Sequence, residues 1–110
     1  MIEFEDFQRV EMAVGTVVEV QRNDKARAPA FVLRIDFGAA YGERQSSAQL
    51  TENYDEQALV GRQVVAVMNF PAKRIAGVKS EVLVLGAVSD ERGVVLLGPD
   101  MDVENGARIG

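Results

Sequence analysis

The residues best equipped to recognise a ligand lie in Met68-Asn69-Phe70-Pro71-Ala72-Lys73-Arg74-Ile75-Ala76-Gly77-Val78-Lys79-Ser80. This segment leaves an apolar run and mixes amide, aromatic and basic groups. Phe70 can offer a stacking face, and Lys73, Arg74 and Lys79 can meet phosphate oxygens, which together make a sequence-tolerant nucleic-acid contact. The same residues suit an extended peptide, with Phe70, Ile75 and Val78 as the apolar contacts. A third reading is a long loop tucked over a barrel mouth. For Phe70 taken alone, a place in the core is the expectation.

Catalysis finds little to work with. The 110 residues contain no histidine and no cysteine, which excludes thiol nucleophiles, disulfides, Cys/His zinc sites and Ser-His-Asp triads. Ser46-Ser47 is the remaining nucleophile candidate, but no lysine stands at Ser-x-x-Lys spacing. Both hydroxyls are read as structural or binding groups. Asp100-Met101-Asp102-Val103-Glu104-Asn105-Gly106 resembles the start of a calcium loop. Its glycine comes one place late and no distal glutamate follows, so a turn at Asn105-Gly106 is expected and no metal. Gly38–Gly42 is read as a plain turn, and no dinucleotide or phosphate-loop motif exists, so no cofactor is expected. The stacking signal is weak overall, with no tryptophan and two tyrosines.

Charge sharpens the basic segment. The net charge is −5, against a general nucleic-acid binder, but acid gathers at the ends: Glu3, Glu5, Asp6 and Glu11, then Asp90, Glu91, Asp100, Asp102 and Glu104. Between Glu56 and Glu81 there is none, and that interval holds Arg62, Lys73, Arg74 and Lys79. A local patch of this kind can bind phosphate on an acidic molecule, although composition alone favours an ordinary solvated loop. The acidic start is unlike a signal peptide, and no stretch approaches the roughly 20 apolar residues that span a bilayer. A cytoplasmic location without membrane insertion is the expectation.

The elements that must position these residues are short strands between turn residues. Met12–Val20 forms the first run, with Met12, Val14, Val18 and Val20 on one face and Gly15 marking a bulge or bend. Phe31–Phe37 alternates cleanly, Phe31, Leu33, Ile35 and Phe37 opposite Val32, Arg34 and Asp36. A third run covers about Gln45–Leu50. The only convincing helix follows, about two turns long, capped by Asn53 with Glu56 in a capping box and closed by Gly61. Then come Val64–Phe70, Glu81–Val88 and Val94–Leu97, the last two joined by the hairpin loop Ser89–Gly93. Three strands, a short helix and two or three further strands predict an all-β chain with one short helix. The expected fold is a five-stranded OB-fold barrel, one domain over 1–110.

Several motifs occur together in a known order. They are Val14-Gly15-Thr16-Val17, Ala26-Arg27-Ala28-Pro29-Ala30, Ile35-Asp36-Phe37-Gly38, Gln45-Ser46-Ser47-Ala48-Gln49-Leu50-Thr51, Asn69-Phe70-Pro71, Ile75–Gly86 and Val95–Asp100. Across essentially the whole chain they resemble the CsaA family of export-related chaperones. That family is related to the C-terminal tRNA-binding domain of methionyl-tRNA synthetase and to free structure-specific tRNA-binding proteins. The resemblance implies a non-catalytic homodimer with an OB-fold barrel and N- and C-terminal extensions that build the dimer; the apolar residues there that could pack on a partner copy are Phe4, Phe7, Val103 and Ile109. It implies binding of unfolded, export-destined polypeptides, with Phe70, Ile75 and Val78 as peptide contacts. The alternative it carries is tRNA binding through Arg27, Lys73, Arg74, Lys79, Ser47 and Asn69. Gln49 and Ser80-Glu81 also fall in characteristic stretches. Two departures stand out: Ala13 replaces the family's usual arginine, and Ala72 replaces the second proline of Asn-Phe-Pro-Pro, releasing a fixed φ.

Overall fold

The computed structural model describes residues 1–110. In chain order the elements are α1 (Phe4–Gln8), β1 (Met12–Asn23), β2 (Ala30–Asp36), β3 (Glu43–Ala48), α2 (Glu56–Leu59) and β4 (Gln63–Val67). They continue with β5 (Lys73–Ile75), β6 (Val78–Ser80), β7 (Leu83–Val84), β8 (Gly86–Ser89) and β9 (Gly93–Leu96). A five-stranded antiparallel sheet in the order β3-β2-β1-β4-β7 curls into an OB-fold-like half-barrel, with β5-β6 and β8-β9 as separate hairpins. The fold expected from the strand pattern is the one observed.

The alternation of β2 sets the core. Phe31, Leu33, Ile35 and Phe37 are buried with Val17, Leu59, Val64 and Ala66. Each of these side chains larger than alanine contributes about 1.5–3 kcal/mol by leaving water. The expected core face of β1 is corrected. Ala13 and Val17 point into the core, whereas Val18 is 37% exposed. A register shift between Val17 and Glu19 changes the phase of the strand, so that Val20 again packs on the core. Val14, on the opposite face, is buried too, and the C-terminal tail pairs along the edge of this half-strand. The Val14 N–H donates to Ala107 O at 2.9 Å and its carbonyl accepts from Gly106 N–H at 2.7 Å. A half-strand that buries side chains on both faces has no polar side to alternate with. Gly15 is needed for a close approach rather than for the bulge itself: a Cβ there would lie 2.6 Å from Cδ1 of Phe37.

The helix cap is also corrected. Asp55, not Asn53, caps α2, accepting from Ala58 N–H at 2.7 Å, and the helix has four residues. Asn53 instead donates to Arg92 O at 2.6 Å and Val94 O at 2.8 Å, tying the β8-β9 hairpin to the barrel. Gly61 follows the helix with φ +88°, as expected of a closing glycine. A second short helix, α1, precedes the barrel, held at its start by Glu3 N–H donating to Asp6 Oδ2 at 2.9 Å.

The run read as one strand, Glu81–Val88, is broken into β7 and β8 around Leu85. The Leu85 N–H donates to Val65 O and its carbonyl accepts from Leu97 N–H, so the chain passes from one sheet to the other. The hairpin loop Ser89–Gly93 and the turn at Asn105-Gly106 stand where they were expected. No helix is long and apolar enough to cross a membrane.

Candidate ligand-binding site

The segment 73–80 is a tight hairpin rather than a long loop. Lys73 pairs with Ser80, Arg74 with Lys79 and Ile75 with Val78, around Ala76 (φ +47°) and Gly77 (φ +82°). Two consecutive left-handed residues match the right-handed twist of a two-residue hairpin. Glycine adopts that conformation freely, and alanine pays about 1–2 kcal/mol for it.

Hydrogen bonds fasten this hairpin to the free edge of β3. Glu81 N–H donates to Gln45 O at 2.8 Å, and Gln45 N–H donates to Glu81 Oε1 at 3.2 Å. Gln45 Nε2 donates to Lys79 O at 2.9 Å, and Ser47 N–H donates to Ser80 Oγ at 3.0 Å. The characteristic residues Ser47, Ser80 and Glu81 thus close the gap between the hairpin and the sheet edge. Gln45 is equally important to that closure and was not singled out from the sequence, where an amide in a polar strand carries no special mark.

A cleft of about 300 Å³ opens beside this junction. Phe70, Pro71, Ile75, Val82 and Leu83 give it apolar walls, and Ser47, Lys73, Ser80 and Glu81 give it polar ones. The expectation of a buried Phe70 is corrected: the side chain is 52% exposed, because the chain leaves the sheet at Met68 before reaching it. An adjoining hollow of about 340 Å³ shares Ser47 and Leu83 and is lined by Ala48, Leu50, Val84, Val88, Val94 and Leu96 among others. Val88 beside it is 85% exposed. Leu83 and Val88 fall within the single run expected over Glu81–Val88, where nothing in the sequence marks them as exposed.

The remaining candidates divide by position. Ser47, Lys73, Phe70 and Ile75 meet at the cleft. Val78 is half-buried on the hairpin face shared with Ile75. Arg74 and Lys79 are exposed on the other face and enter none of the five ion pairs, and neither does Lys73. Arg27 lies apart, on the β1-β2 connection, lining a depression with Arg22 and Asn23. Asn69 clamps the N-terminal segment: its Oδ1 accepts from Glu11 N–H at 3.0 Å and its Nδ2 donates to Arg9 O at 2.8 Å. Gln49 is exposed just after β3. On the outer sheet face Arg34 sits 3.4 Å from both Glu19 and Glu43, so its charge is already matched.

Among the interface candidates, Phe4, Phe7 and Ile109 line one hollow of about 390 Å³ between α1 and the C-terminus. The two rings are 6.2 Å apart, and Phe4 is 71% exposed. Val103 is elsewhere, its backbone held at both ends by the Gln63 amide.

Residues 12–108 match the family described as "Putative tRNA binding domain". A crystal structure of chaperone CsaA from Bacillus anthracis str. Ames superposes with a TM-score of 0.94 at 51% identity, over 100% of this chain and 99% of that one. The chain belongs to the tRNA-binding domain family and, within it, to the CsaA proteins. The CsaA chaperone protein of Picrophilus torridus is similarly related, with a TM-score of 0.95 at 44% identity and full coverage of both chains. The methionine–tRNA ligase of Thermococcus onnurineus is 36% identical over 108 residues, which are 98% of this chain and 14% of the ligase. This CsaA-family chain therefore spans a small part of the synthetases it resembles.

Proposed function

We propose that this CsaA-family chain is a cytoplasmic molecular chaperone that holds unfolded or export-destined polypeptides as a homodimer, by binding alone and without catalysis. The observation that carries the reading is the cleft between the β5-β6 hairpin and β3. Its apolar walls, Phe70, Ile75 and Leu83, lie open to solvent and can cover the apolar side chains that an unfolded chain exposes. Ser47, Lys73 and Ser80 at the same cleft can engage peptide carbonyl groups. Pairing through Phe4, Phe7 and Ile109 would bury the exposed apolar terminus and bring two clefts into one particle, with Val103 lying outside that contact. Light scattering of an aggregating client tests the reading: stoichiometric protein should suppress the signal, and absent suppression would sink it.

A second reading is structure-specific tRNA binding through the basic patch. Two observations favour it: the tRNA-binding family match, and three cations, Lys73, Arg74 and Lys79, held close together without a carboxylate partner. Arg74 and Lys79 face each other directly across the strands, an arrangement that repels unless an anion lies between them. Ser47 lies beside the patch, whereas Arg27 would be a separate contact and Asn69 acts by positioning the segment. A gel-shift titration of tRNA at two salt concentrations tests this reading, with no binding at low salt the adverse result.

A further inference from the structure

Strand alternation gives the β5-β6 hairpin two different faces. Lys73, Ile75 and Ser80 all line the cleft. Arg74 and Lys79 lie between them in sequence and therefore project from the opposite face, where both are exposed. The apolar contacts and the two unmatched cations are back to back on one thin ribbon, and Lys73 alone among the cations belongs to the cleft.

We propose that the outer face, Arg74 with Lys79, is a docking surface for RNA phosphates that stays open while a polypeptide occupies the cleft. This rests on both the polypeptide-holding and the tRNA-binding readings above. Directly opposed side chains on an antiparallel pair lie about 4.5–5.5 Å apart at Cβ. Two cations that close, with no acidic side chain in ion-pair contact, form a point of high positive potential on a molecule of net charge −5. An anion bridging them removes their mutual repulsion. The occupant is read as RNA because the hairpin lies within the stretch matching the tRNA-binding family. The hairpin's firm attachment runs through β6 to Gln45 and Ser47 of β3, so the outer face is rigidly presented and needs no rearrangement of the cleft.

The test measures tRNA and a fluorescent unfolded peptide together on the full chain. Saturating peptide should leave the tRNA dissociation constant within twofold. The double variant Arg74→Ala/Lys79→Ala should lower the salt slope of tRNA binding by about 1.4–1.8, from about 0.7–0.9 per phosphate contact, and leave peptide affinity within twofold. Phe70→Ala should weaken peptide at least tenfold with the tRNA slope unchanged. Tenfold competition between the ligands would overturn the proposal, as would an unchanged salt slope in the Arg74→Ala/Lys79→Ala variant. If wild-type protein bound no peptide, the polypeptide reading would fail. The contrast between Arg74→Ala/Lys79→Ala and Phe70→Ala in tRNA binding would still decide where RNA docks.

Discussion

The β5-β6 and β8-β9 hairpins are both two-stranded satellites of one barrel, yet they are built for different ends. The β5-β6 hairpin carries Lys73, Arg74 and Lys79 around a left-handed Ala76-Gly77 turn and is fastened by Gln45 and Ser47 at the strand edge. The β8-β9 hairpin turns through Ser89-Asp90-Glu91-Arg92-Gly93 and is fastened from outside by Asn53 and by the Tyr54 hydroxyl, which accepts from Leu96 N–H at 3.0 Å. One satellite keeps its cations unmatched and borders the polar-and-apolar cleft. The other presents an acidic tip and exposed valines. On the proposed reading, short appendages set ligand preference in this small barrel, and the shared sheet holds them in place.

That difference is open to direct attack. The largest effect should come from Phe70→Ala combined with Ile75→Ser, which removes apolar walls of the cleft and should cut client holding at least tenfold in light scattering. Val88→Ser with Val95→Ser on the other hairpin should change it less than threefold; equal losses would erase the distinction. Next, Asn53→Ala should cost about 1–3 kcal/mol in urea unfolding, because it leaves two backbone carbonyls without their donor. Hydrogen exchange should then quicken at β8-β9 amides and not at β5-β6. Tyr54→Phe removes one neutral hydrogen bond and should cost about 0.5–1.5 kcal/mol. The smallest change should be Ala76→Gly, which relieves a left-handed alanine and should raise stability by up to about 1 kcal/mol. A fall in stability would refute that account of the turn.

Much of this was legible in the sequence for a physical reason. The β2 strand has one buried face and one wet face, so Phe31, Leu33, Ile35 and Phe37 announce themselves by alternation. The first half of β1 buries side chains on both faces, Ala13 and Val17 on one and Val14 on the other, and its pattern misleads. The β5-β6 turn lacks the Asn-Gly or Asp-Gly pair that marks such hairpins, so it read as loop. Phe70 was placed in the core on type alone, although its exposure depends on where the chain leaves the sheet. The basic residues were found from the acid-free interval, but their division between two faces depends on a register that only pairing fixes.

The central claim is that polypeptide is held at the cleft between β5-β6 and β3. Amide NMR shifts followed during titration with an unfolded, fluorescently silent peptide test it most directly. The account predicts saturable changes concentrated at Ser47, Phe70, Ile75, Ser80 and Leu83. Changes confined to Phe4–Gln8 and Arg108–Gly110, with the cleft amides unmoved at saturation, would contradict it.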